Sequence, residues 1–559
     1  MKMNLKTAIS DAASAVSNVK RIAFVLVPAA VSLVWVMAQV VPVNRPMASF
    51  FPPGPALYVE AKNLAGLMRE WNGSQEKNLW VASDNYQVFS RSNLFLKLRA
   101  AQAEFAAAAG VPPDMALLNN VAGAEAGIAI YDIGELQFLY VTKMPSARVL
   151  ESSLWKARGT YQPRKSSGLD YYVRSEKGGK RVAAFASAQD YLLLATREDL
   201  LAGALALLAT QKGAAIATDP WYTQAVQAVK EAGELRLVLN MPSLMQSPYM
   251  RSYWVQRNAS ELKQYGSAIS DATRAAGEIR ENRSLFRLTG SRLNEEPPAW
   301  NENAVAQITR LVPANAGLYQ AWASPTPEQA FALVRAKLLQ PQSGGGPASR
   351  IAPGAGSPDS IVGSESDLET RIDEAPFVGG GGPLPDAVRD LLAAGKLEAM
   401  LSVGVSRVLP DGVFAGLGSA VVLLRSSNWD AGTALGALAS AGMTFDGPSP
   451  MALLTSGPLL ILSDRPDLAQ SILAGAGKPA TQAAGRYSAA YQHGRELPNF
   501  IKLTRLIDNP LRTPDQPMFF SQNAGSLGQS MLGRLDSASM VVHDTGTVVT
   551  QKLVYKLKL

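Results

Sequence analysis

The 559 residues contain no cysteine and only two histidines, His493 and His543. The first absence excludes disulfides, thiolate nucleophiles and cysteine-ligated metals, so each domain must hold together by packing alone. The second leaves two imidazoles at most, too few for a zinc site by themselves, and neither lies in an HExxH spacing. Charge is sparse as well: 18% of residues are charged and the formal net charge is +7. Lysine and arginine form no long run and no aromatics interleave with them, which excludes nucleic acid as a partner. Motifs of small-molecule chemistry fail in detail. Gly475-Ala476-Gly477-Lys478 has Ile472 where a phosphate loop needs its first glycine, and Pro479 where it needs a hydroxyl. Gly416-Leu417-Gly418 has Val421 in place of the third glycine of a dinucleotide fingerprint. There is no GxSxG elbow. Ser153-Leu154-Trp155-Lys156 has the SxxK spacing, but Ser17 and Lys20 repeat it in the leader. The sequence therefore assigns no catalytic, cofactor-binding or metal-binding residue and implies no cofactor. Among many carboxylates only Glu60, at the end of a short apolar strand, stands out as one to be partly buried.

What is present is one long apolar run, Ile22 to Val43, with Ser32 and Gln39 as its only polar side chains. As a helix rising about 1.5 Å per residue it covers about 33 Å, enough to span a hydrocarbon core. Lys2, Lys6, Lys20 and Arg21 precede it and Arg45 alone follows closely. That bias places residues 1–21 in the cytoplasm and the rest of the chain across the membrane. A cleaved signal peptide is the alternative, with Val36-Met37-Ala38 as cleavage spacing, but the apolar core exceeds the usual length. A buried soluble helix would need a polar face, which the run lacks. The expectation is a single-pass protein of a bacterial inner membrane with its bulk in the periplasm or outside the cell.

Beyond a spacer at 44–54, the same order of elements occurs twice. Pro55-Ala56-Leu57-Tyr58-Val59-Glu60 resembles Ala316-Gly317-Leu318-Tyr319-Gln320-Ala321, and each leads into a helix. In the first copy a helix over 88–109, with Leu94, Leu98, Ala101 and Phe105 on one face, stops at Gly110-Val111-Pro112-Pro113. Paired apolar strands then lead through Arg-Glu-Asp-Leu (197–200) or Arg-Pro-Asp-Leu (465–468) into Ala/Leu-rich helices. Glu234–Asn240 pairs loosely with Tyr487–His493. The copies close on strands at 285–293 and 538–557, and a polar stretch, 259–282, reads as an extra amphipathic helix. The predicted class is α+β: two similar lobes, 55–297 and 311–559, with largely antiparallel sheets and packed helices. Residues 298–310 read as an inter-lobe linker, and 341–383, rich in Gly, Pro and Ser, as a flexible excursion carrying Glu365, Asp367, Glu369, Asp373 and Glu374.

Four segments carry a resemblance: Pro53 to Tyr58, Gly110 to Asp114, Arg197 to Leu200, and Leu237 to Pro242. On these the chain resembles a family of bacterial single-pass envelope proteins known only as a domain of unknown function. The resemblance implies a location and an architecture and brings no catalytic residues with it. The expected function is a non-catalytic interaction or scaffold role in the envelope, with a protein partner and with lipid or cell-wall polymer as possible ligands. A carboxylate-based polymer hydrolase and a lipid carrier are the alternatives, the last requiring an apolar groove.

Overall fold

The computed structural model describes residues 45–558 except 92, 113–114, 176–181, 230–231, 247–261, 290–299, 340–383, 409–414, 447–449, 476–484 and 508–530. The apolar run 22–43 and the acidic excursion therefore lie outside the described residues. Among those described, no helix is long and apolar enough to cross a membrane.

The architecture is α+β around one large antiparallel sheet. Its strands are β1 (Leu57–Lys62), β2 (Glu125–Asp132), β3 (Gln137–Lys143), β4 (Gln162–Ser166), β5 (Leu169–Ser175), β6 (Val182–Ala188), β7 (Tyr191–Ala195), β8 (Leu235–Asn240), β9 (Tyr265–Ala275) and β10 (Glu278–Arg287) in the first lobe. The second lobe supplies β11 (Leu318–Ala323), β12 (Leu397–Val408), β13 (Ala415–Arg425), β14 (Ala452–Ser456), β15 (Leu459–Ser463), β16 (Tyr487–Tyr491), β17 (Leu535–Asp544) and β18 (Val548–Leu557). In the first lobe the spatial order is β4-β5-β6-β7-β3-β2-β1-β8-β9-β10. The order continues without a break as β18-β17-β16-β11-β12-β13-β15-β14.

The lobes are thus joined strand to strand, by β10 against β18. A shift of 270 residues carries Glu278 onto Val548 and Phe286 onto Lys556. The ladder sets Glu278 opposite Lys556 and Phe286 opposite Val548, with Asn282 opposite Lys552 at its centre. The junction therefore maps onto itself, as an isologous dimer interface does, with an internal dyad between Asn282 and Lys552.

Helices cover both faces. The principal ones are α1 (Leu64–Gly73), α2 (Asn93–Ala109), α3 (Met115–Val121), α4 (Glu198–Thr210), α5 (Pro220–Gln227), α6 (Glu302–Thr309), α7 (Pro327–Val334), α8 (Asp386–Ala393), α9 (Ala431–Ser440) and α10 (Pro466–Leu473). On one face α4 and α5 enclose Tyr58, Leu139, Val238 and Ile269, and α6 and α10 enclose Ala321, Leu401 and Val422. On the other, α2 and α3 pack towards Phe185 and Leu192, and α7, α8 and α9 pack on Met400, Val421 and Leu460. Helix α4 shows why the elements form: Leu201, Leu205 and Leu208 recur at helical spacing and are buried. Each buried leucine contributes about 1.5–3 kcal/mol. Its start is marked by Arg197, whose guanidinium grips Asp199 through two bonds, and Arg465 grips Asp467 in the same way at the start of α10.

Three expectations change. Residues 259–282 do not form a helix in their described part; they supply β9 and the start of β10, with Ser267, Ile269 and Asp271 buried at a period of two. The chain turns between these strands at Gly277, whose φ of +71° suits glycine. The spacer at 44–54 is part of the first core, which buries Met47, Ala48, Phe50 and Phe51. The linker at 298–310 contains α6, which places Ala304, Val305 and Ile308 in the second core.

Candidate functional site

An apolar cavity lies in the first lobe, between α1, α2 and α3 and the strands β2, β3 and β7. Its volume is about 380 Å³, and Leu64, Met68, Ala101, Phe105, Phe138 and Leu194 represent its lining. Local chemistry fixes each wall. Asn63 takes the left-handed conformation (φ 55°), and its side chain accepts from the Gly66 amide at 3.2 Å, which starts α1. The left-handed Gly110 ends α2, and the Tyr161 hydroxyl donates to the Ala109 carbonyl at 2.5 Å. Likewise the Tyr140 hydroxyl donates to the last carbonyl of α3, Val121, at 2.8 Å. Burial pushes the Tyr140 hydroxyl up to about 12, so this tyrosine serves as a donor. With both helix ends satisfied in this way, the space between them is left to hydrocarbon.

The cavity shares Val182 and Thr196 with a neighbouring polar recess of about 540 Å³. Glu135, Gln137, Arg197, Glu198 and Asp199 line this recess. Arg197 is already engaged by Asp199 and by Gln137, the latter at 3.0 Å. Tyr171 donates to Glu198 at 2.9 Å. The three carboxylates outnumber the guanidiniums beside them, Arg197 and Arg164, the latter 3.7 Å from Glu198, which makes the recess unfavourable for an anion. Of the residues foreseen on one helix face, Ala101 and Phe105 line the cavity.

A second feature of the same lobe is a charged row beneath α5. Glu60 on β1 stands opposite Arg236 on β8, which stands opposite Asp271 on β9. Arg236 and Asp271 form a buried fork-to-fork pair, Nε to Oδ1 at 2.8 Å and Nη2 to Oδ2 at 3.0 Å. The Gly233 amide adds a third bond to Asp271, at 3.1 Å. Glu60 is half-buried and accepts from the Tyr58 hydroxyl at 2.9 Å. Burial raises its carboxyl above the usual range, against the opposing pull of Tyr58 and Arg236. Arg236 and Asp271 were not singled out in the sequence. The available signal was a lone arginine inside the apolar strand Leu235-Arg236-Leu237-Val238.

The other sequence candidates lie on separate elements of the fold. His493 is buried at the start of the helix His493–Ile507, its ring 5.7 Å from that of Tyr491. His543 lies on β17 with its ring 6.5 Å from Trp300, while its neighbour Asp544 is bound by Arg287 and Arg486. Ser153 to Lys156 is a single helical turn capped by the Ser152 hydroxyl. Gly416 and Gly418 lie within β13, and residues 476–484 are outside the described residues. Among the described residues, no cluster of three or more His, Asp and Glu side chains could hold a metal ion.

No protein-family model matches the chain, and no curated protein does. Among solved structures, crystal forms III and IV of the protein TP0453 align with it at 10% identity. Form III covers 49% of this chain and 89% of its own, with a TM-score of 0.24. Form IV covers 43% and 79%, with a TM-score of 0.23. Likenesses at that score carry no argument about this chain.

Proposed function

We propose that this chain is a membrane-anchored envelope protein whose first lobe binds an amphiphile. The apolar cavity takes the hydrocarbon chain and the polar recess takes the head. The single observation that carries the reading is a near-uniformly apolar cavity of about 380 Å³ adjoining a polar recess, with Val182 and Thr196 lining both. Its size falls within the range of small-molecule sites, roughly 300–1,000 Å³. The carboxylates of the recess favour an uncharged or zwitterionic head over an anionic one. In this reading Ile22 to Val43 holds the protein in the bacterial inner membrane with residues 1–21 in the cytoplasm, and the lobes face the periplasm or the exterior.

A non-catalytic scaffold role is the second reading, and one strand edge, taken up below, favours it. Polymer hydrolysis has less support. The carboxylates that burial raises, Glu60 and Asp464, lie in different lobes, and Asp464 is tied to the Ser419 amide at 2.8 Å.

The test fills the cavity. Ala101→Trp should weaken binding of a fluorescent monoacylglycerol probe, whose head is uncharged, at least tenfold while leaving the thermal midpoint unchanged or raised. Zwitterionic lipid should compete for the probe better than anionic lipid. Equal probe binding by the folded variant would remove the cavity from the function.

A further inference from the structure

The two ends of the long sheet are finished differently. At the first-lobe end, β4 reads Gln162-Pro163-Arg164-Lys165-Ser166, almost wholly exposed. Proline and paired positive charges blunt an edge against further pairing. At the other end, β14 reads Ala452-Leu453-Leu454-Thr455-Ser456, with no charge and no proline. Among the described residues no strand pairs with its outer side.

The molecule itself shows what covers this position elsewhere. The hairpin β14–β15 is the counterpart of β6–β7. A shift of 268 residues carries Ala184 to Ala452, Ala188 to Ser456, Tyr191 to Leu459 and Ala195 to Ser463, and the pairs are preserved. In the first lobe the outer side of β6 carries β5, with Tyr172 opposite Phe185 and Val173 opposite Ala184. The rings of Tyr172 and Phe185 stack at 5.3 Å. Ala184, Phe185 and Ala186 are buried as a result, whereas their counterparts Ala452, Leu453 and Leu454 remain half-exposed. The second lobe has only residues 441–451 between α9 and β14, too short a stretch to supply a matching hairpin.

We propose that the outer edge of β14 receives an extended strand from a partner protein, added antiparallel, with apolar and aromatic side chains alternating as they do in β5. This is strand addition, in which backbone bonds supply affinity and alternate side chains supply selectivity. The two-residue turn Gly457-Pro458 closes on the hydrogen-bonded pair Ser456 and Leu459. By the alternation of an antiparallel ladder, Leu453 and Thr455 then point their backbone groups outward. The next outward amide, Met451, already donates to Thr444 at 2.9 Å, which sets the limit of the open edge.

Proline at an outward position removes an edge donor without breaking the inner ladder. The probe is the capped, fluorescein-labelled heptapeptide of residues 169–175, Leu-Asp-Tyr-Tyr-Val-Arg-Ser, titrated into the full chain in detergent. The expected result is saturable binding with slowed deuterium exchange in β14. Thr455→Pro should weaken that binding at least tenfold, with circular dichroism and thermal midpoint unchanged. A folded Thr455→Pro variant that binds the peptide equally, or a wild type that does not bind it, overturns the proposal. Self-association of the chain that Thr455→Pro abolishes would assign the edge to a second copy, and also overturns it.

Discussion

In the first lobe, the row of residues leading to the internal dyad reads Gly127, Glu60, Arg236, Asp271, Asn282. In the second lobe, the row at the equivalent positions reads Leu401, Ala321, Ser488, Val541, Lys552. One backbone thus holds a buried ion pair in one half and a serine and a valine in the other. The pair is not a requirement of the fold. Desolvation offsets most of the attraction between buried ions, so an apolar replacement of both partners is often neutral, while removal of one is not. A second contrast lies at the ends of the junction. Arg274 binds Glu234 at 2.8 Å in the first lobe, and at the equivalent positions Asp544 binds Arg486 at 2.8 Å with the signs exchanged. The geometry is kept while the polarity is inverted. A third contrast concerns the helices inserted between the first two strands of each lobe. Those of the second lobe, α7 and α8, pack with α9 on Met400, Val421 and Leu460 and leave a recess of about 370 Å³ beside Pro327 and Leu392, whereas α1 to α3 bound the apolar cavity itself.

The sharpest way to break the first contrast is to convert one half towards the other. Asp271→Val alone strands Arg236 and should cost about 3–5 kcal/mol in denaturant unfolding. Adding Arg236→Ser recreates the second lobe's pair and should recover most of that loss. A double variant as unstable as the single would show that the ions themselves hold the lobe. The inverted ion pairs come next. Asp544 is bound by Arg287 at 2.6 and 3.0 Å as well as by Arg486, and Asp544→Asn should cost about 2–3 kcal/mol at neutral pH. Although burial opposes it, these bonds and the Gly546 amide hold the Asp544 carboxyl below the usual range. The stabilisation is therefore present above the unfolded value and lost as pH falls through the lowered one, so wild type and variant should converge in strong acid. Arg274→Ala, at the more exposed counterpart, should cost about 1 kcal/mol or less and respond to salt. The smallest effect belongs to Glu60. Its raised carboxyl favours the fold most when protonated, and that contribution is lost as pH rises from the ordinary value through the raised one. Glu60→Gln should flatten this part of the stability curve and leave the midpoint at pH 7.5 no lower than wild type. A marked loss at that pH would mean that the ionised form is needed.

Much of the duplication was readable because turns and helix starts are local. The pairing of Pro55–Glu60 with Ala316–Ala321 has the same shift, 261 residues, as the registers of β1 and β11. The Arg-x-Asp helix starts match down to their side-chain bonds. The sequence pairing of Glu234–Asn240 with Tyr487–His493 is one residue off the registers of β8 and β16, since no such signal fixes that strand. The misreading of 259–282 has a specific cause. The buried side of β9 is Ser267, Ile269 and Asp271, only one of them apolar, so the period of two carried almost no hydrophobic contrast. Arg236 and Asp271 are separated by 35 residues and meet only through strand pairing. The cavity was unreadable for another reason: it depends on how far α2 and α3 stand from the sheet, and side-chain pattern does not encode that distance.

The seam between the lobes also has a consequence in time. The strand β10 is complete at Arg287, yet its partner β18 begins only at Val548. At about 5–20 residues per second, roughly 13–50 s of synthesis separate them. For that interval the first lobe presents a bare ladder of donors and acceptors, the kind of surface on which nascent chains stick to one another. The composition of β10 answers the hazard: Glu278, Arg280, Glu281 and Arg283 put charges of both signs along it. The seam is therefore guarded while it waits, and the residues that keep it from closing on strangers are the same ones that later lie beside the dyad.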